Sequence, residues 1–68
     1  MVHIGSKIKE QFDATGRTIA WFAREIQCER TNVYDIFERS HIDTDLLLKI
    51  SEVLNFDFFI YYKPKLKP

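Results

Sequence analysis

A chain of 68 residues with zero formal net charge and 46% apolar content is one domain at most, because a chain this short buries only about 60% of the surface its unfolded form exposes. That apolar fraction, with six Phe, is too rich for a disordered segment. Its longest apolar runs, Leu46 to Leu48 and Phe58 to Tyr62, fall far short of the roughly 20 residues that cross a bilayer. The single Cys28 excludes an internal disulfide, and no basic-then-apolar leader opens the sequence, so a reducing cytoplasm is expected.

Zero net charge runs against nucleic-acid binding, since neutralising phosphates supplies most non-specific affinity. Residues 1–40 carry six basic and six acidic side chains, residues 41–62 one Lys against four acids, and residues 63–68 three Lys. A DNA-facing surface on this chain must therefore be a local arrangement.

Ile4, Ile8 and Phe12 recur every four residues and Gly16 offers a left-handed stop, which predicts a first helix over roughly residues 4–14. Thr18 is a candidate N-cap for a second helix, in which Ile19, Phe22, Ala23 and Ile26 form an apolar stripe ending near Gln27. Val33, Ile36 and Phe37 resume helical spacing after a turn at Gln27-Cys28-Glu29 too short to hold a strand. Ser40 to Asp43 reads as a loop, with Asp43 the N-cap of a fourth helix whose buried face is Leu46, Leu47, Ile50, Val53 and Leu54 and whose left-handed terminus is Asn55. Residues 57–62 show neither clean helical nor clean alternating spacing, so either a short helical turn capping the core or a strand pairing between subunits fits them. Residues 1–62 form the domain; 63–68 are a basic tail in which Lys63, Lys65 and Lys67 alternate with Pro64 and precede Pro68, either solvated or an extended arm.

Residues 18–37, TIAWFAREIQCERTNVYDIF, have the pattern of a helix-turn-helix. Small Ala23 lets two helices approach, and Ile26, Cys28, Val33 and Ile36 close the shared core so that the later helix protrudes. With the Phe22-Ala23 pair, the polar stretch from Glu29 to Tyr34 and the segment from Asp43 to Asn55, about residues 4–60 resemble the phage repressor and Cro-like helix-turn-helix family, often called the Xre family. The resemblance implies an all-α, lambda-repressor-like bundle of four to five helices. It also implies a sequence-specific regulator of transcription, a repressor or an antitoxin, that inserts its third helix in the major groove of double-stranded DNA. Two positions depart from the family pattern: Gln27 stands where Gly is usual, and Ile19 stands where a phosphate-touching Gln is frequent.

Carried over position by position, the resemblance sets Arg30, Thr31, Asn32, Tyr34 and Asp35 towards base edges, and Arg17, Thr18, Arg39 and Ser40 against phosphate. The chemistry suits these places: Arg donates bidentately to guanine, Asn pairs with adenine, the Thr methyl meets thymine and Asp accepts from cytosine N4. A single module would bury only about 600–1,000 Å² on DNA, so a homodimer on symmetric half-sites is expected, with Phe58 to Tyr62 as its interface; an antitoxin would add a toxin as partner.

Phe12, Phe22, Phe37 and Phe56 are expected in the core rather than as base-stacking platforms. Trp21 points off the Phe22-Ala23 stripe and is either partly packed or a protein contact. Cys28 reads as a small core residue, and neither His3 nor His41 stands at metal-ligand spacing from it. No motif supports a catalytic Cys–His pair, so no enzyme activity and no cofactor are expected. The rival reading is a protein-interaction module on the same fold, favoured by the zero net charge and by Glu29, Asp35 and Glu38 beside the third helix.

Overall fold

The computed structural model describes residues 2–62, so the basic tail expected at 63–68 lies outside the described residues. They form four α-helices, α1 (Ile4–Thr15), α2 (Ile19–Glu25), α3 (Arg30–Glu38) and α4 (Thr44–Leu54), then a 3-10 helix, η1 (Phe58–Tyr62), with no strand among them.

Each expected stop and start has a local cause. Thr18 Oγ1 accepts from the Trp21 N–H at 3.0 Å, and Asp43 Oδ2 accepts from the Leu46 N–H at 3.2 Å, so both side chains satisfy donors that the first helical turn leaves open. Gly16 and Asn55 turn left-handed, at φ 71° and 54°. After α4 the Asn55 N–H reaches the Glu52 carbonyl and the Phe56 N–H the Ser51 carbonyl, the paired bonds of a Schellman motif.

The core is centred on three rings. Phe12 of α1 lies 5.2 Å from Phe22 of α2 and 5.6 Å from Phe37 of α3, and Phe22 and Phe37 are 6.2 Å apart, all within the range of favourable aromatic pairs. Ile4, Ile8, Val33, Leu47 and Ile50 are fully buried with them. Helix α3 packs on α1 and α2, while α4 and η1 pack on α1.

The junction of α1 with the end of α3 is the tightest in the fold. The Gly5 N–H donates to the Arg39 carbonyl at 2.9 Å, and a Cβ on Gly5 would stand 2.5 Å from the Ile36 and Phe37 carbonyl oxygens. His3 caps α1, its Nδ1 accepting from the Ser6 N–H at 3.1 Å. That bond requires the Nε2–H tautomer, so Nε2 donates to the Glu38 carbonyl, also at 3.1 Å. The start of α1 thus satisfies the Glu38 and Arg39 carbonyls at the end of α3 and sets opposite helix dipole ends together.

The structure adjusts the sequence reading in three places. Helix α2 stops at Glu25 rather than near Gln27, because Gln27 is already left-handed at φ 59°. Residues 58–62 are helical, which rules out the strand alternative; Asp57 Oδ1 caps the Phe59 N–H, and Ser51 Oγ accepts from the Phe58 N–H. Phe58 is fully buried, its ring tilted against that of Phe56 at 4.8 Å, while Phe56 itself is half-buried. Phe58 is therefore core and cannot be part of a subunit interface; on η1 only Ile60 and Tyr62 are exposed apolar side chains, at 47% each.

Candidate nucleic-acid interface

The α2–α3 connection decides how α3 is presented. After α2 the Gln27 N–H bonds the Arg24 carbonyl at 3.2 Å and the Cys28 N–H bonds the Ala23 carbonyl at 2.9 Å. This is a second Schellman motif, with Gln27 in the left-handed position that glycine favours. Its side chain is held from outside the pair: Lys49 of α4 donates to Gln27 Oε1 at 2.9 Å. Cys28 is half-buried and donates weakly to the Glu29 carbonyl. Burial, then the neighbouring Glu29 carboxylate, push its thiol pKa upward, which keeps it in the unreactive protonated form.

Helix α3 buries Val33, Ile36 and Phe37 and exposes every other residue. At about 100° per residue, Thr31, Asp35 and Glu38 fall opposite the buried stripe, Arg30 and Tyr34 lie on one flank, and Asn32 lies on the other. All five residues expected at base edges are thus exposed on one helix, Tyr34 at 57%, but Asn32 is separated from Arg30 by the width of the outward face. Glu29 begins α3 without a side-chain cap.

The four residues expected at phosphate belong to two separate segments. Arg17 and Thr18 precede α2, where the Arg17 guanidinium lies over the Trp21 ring, 5.0 Å from its centroid, and Thr18 caps the helix. Trp21 is itself half-buried, stacked beside Phe22. Arg39 and Ser40 follow α3 and both are exposed. Arg39 is engaged: its Nε and Nη2 reach Asp35 Oδ2 at 2.8 and 2.7 Å.

Two further cations belong to this surface and were not anticipated. Arg24 is exposed in the last turn of α2, three residues from Trp21 and opposite the Phe22-Ala23-Ile26 stripe; helical spacing alone would have placed it there. Lys49 had no local signal, because its bond to Gln27 spans 22 residues. Among the described residues, Lys7 and Lys9 pair with Glu10 and Asp13 on α1, whereas Arg24 and Arg30 have no ion-pair or cation–π partner.

Among the described residues no three His, Cys, Asp or Glu side chains converge to hold a metal ion, and no helix is long and apolar enough to cross a membrane. No protein-family model, curated protein or solved structure matches the chain.

Proposed function

We propose that this chain is a sequence-specific, duplex-DNA-binding regulator of transcription, of repressor or antitoxin type, acting in the cytoplasm in the manner of the phage-repressor helix-turn-helix family. The observation that carries the reading is the form of the α2–α3 pair. A Schellman turn joins a short capped helix to a second one that buries a single narrow stripe and leaves Arg30, Thr31, Asn32, Tyr34 and Asp35 exposed. A helix with side chains is about 10–12 Å across, which a major groove about 12 Å wide admits. Arg30, with no competing partner among the described residues, is the base reader we place first. Arg17 and Thr18 anchor the backbone in place of the missing Gln at Ile19.

A homodimer on symmetric half-sites follows from the small area one module buries, and Ile60 with Tyr62 is the exposed part of the C-terminal segment that would serve it. Anisotropy titration with mixed-sequence duplex DNA at low salt, followed by selection of bound sequences from random duplexes, tests the reading. Micromolar affinity and a palindromic consensus are expected; affinity no better than millimolar overturns it. Glu29, Asp35 and Glu38 on and beside α3 favour one second reading, a protein-interaction module, which that negative result would support.

A further inference from the structure

We propose that the Asp35–Arg39 ion pair is a built-in limit on the sequence-independent part of DNA binding: it withholds Arg39 from phosphate. The inference rests on the DNA-binding reading and names a regulatory feature of the same surface. Arg39 is the only cation in the α3 segment besides Arg30, and two of its guanidinium nitrogens, Nε and Nη2, are spent on one carboxylate oxygen, Asp35 Oδ2, at 2.8 and 2.7 Å. The two residues stand one turn apart, so the pair closes within a single segment and needs no other element to hold it. Asp35 lies on the outward face of α3, where an uncompensated carboxylate would meet the phosphates, whereas the pair as a unit is neutral. The ten Lys and Arg of the chain are balanced by ten Asp and Glu, and only Arg30 shares the α3 segment with Arg39, so one masked arginine is half of the positive charge that this segment can offer to phosphate.

The quantity that decides is the salt slope, since each phosphate neutralised contributes about 0.9 to the dependence of log K on log salt. The experiment is a salt-series anisotropy titration of a mixed-sequence duplex with the wild type, Asp35→Asn, Arg39→Gln and the double variant. Releasing Arg39 by Asp35→Asn should tighten binding roughly two- to fivefold at 0.1 M salt, the range an exposed ion pair allows, and steepen the slope by up to about 0.9 per subunit. In the Arg39→Gln background the same Asp35→Asn change should gain less than about twofold, because no arginine is left to release. Asp35→Asn with Arg39→Lys should keep the gain, since a phosphate contact needs only a cation. Equal gains with and without Arg39 would mean simple charge repulsion and overturn the proposal, as would no gain at all. If the wild type binds duplex and the coupling is missing, this inference alone fails; if neither the wild type nor any variant binds, the DNA-binding reading fails with it.

Discussion

The two ends of α3 are built on opposite principles. Its C-terminal end is locked to α1: the Gly5 N–H bonds the Arg39 carbonyl, the His3 ring bonds the Glu38 carbonyl, and α1 fits so closely that no side chain can stand at Gly5. Its N-terminal end is held more loosely, by the two backbone bonds of the Schellman turn around left-handed Gln27 and one exposed hydrogen bond from Lys49, with no side-chain cap. The end tied directly to another helix is thus the C-terminal one, and the end that leaves the turn carries Arg30.

The comparison is broken most severely at Gly5. Adding a methyl group drives Cβ to 2.5 Å from two carbonyl oxygens of backbone that cannot swing aside, so Gly5→Ala should cost about 3 kcal/mol or more, the upper range of overpacking penalties. A domain of this length has only about 3–10 kcal/mol to lose. Urea denaturation followed by circular dichroism measures it, and a midpoint within error of wild type would show that α1 and α3 are not locked there.

At the other end the expected loss is in binding, not folding. Arg30→Ala should cost about 1–3 kcal/mol on the selected duplex and relax discrimination at one base pair, leaving the denaturation midpoint unchanged. An equal loss on selected and scrambled duplexes would remove Arg30 from the base-reading set. Arg17→Ala is the contrast: weaker binding to every sequence, with a salt slope shallower by about 0.9.

His3 comes next in size. Its ring caps α1 and reaches the end of α3 at once, so His3→Ala should destabilise by about 1 kcal/mol, the usual value of an N-cap. His3→Asn retains the cap but is too short for Glu38, so the difference between wild type and His3→Asn isolates the bond across the helices, and the difference between the two variants isolates the cap. A His3→Asn midpoint equal to wild type would show that the cross-helix bond contributes nothing.

These contrasts also mark what could be read from residues alone. The apolar stripes, Thr18 and Asp43 as caps and the left-handed Gly16 and Asn55 are local features, fixed within four residues of chain, and they appear as expected. Gly5 was invisible because its reason is a contact with residues 36–39, and a glycine inside an apolar helical repeat has no pattern of its own. Phe58 was misplaced because Phe58, Phe59 and Ile60 are equally apolar, and only packing against α1 and α4 decides that the first turns inward. For the candidate site, exposure of the α3 face followed from its buried stripe, but the engagement of Arg39 by Asp35 and the reach of Lys49 to Gln27 depend on side-chain conformation and tertiary approach.

The smallest effect tests whether the loose end is a compromise between strain and a tether. A side chain held left-handed costs about 1 kcal/mol, and at Gln27 that cost is offset in part by the bond Lys49 makes to Oε1. An exposed hydrogen bond of this kind contributes about 0.5 kcal/mol, so Lys49→Met should lower stability by that amount. Gln27→Gly removes the strain and the bond together, giving a net gain of about 0.5 kcal/mol. In the Lys49→Met background there is no bond left to lose, and the same glycine should gain about 1 kcal/mol. The two changes are therefore coupled by about 0.5 kcal/mol, close to the resolution of a double-mutant cycle, so the cycle should be run as repeated denaturations under one set of conditions. Strict additivity would show that Lys49 does not tether the turn, and the orientation of α3 would then rest on its buried stripe and its locked C-terminal end alone.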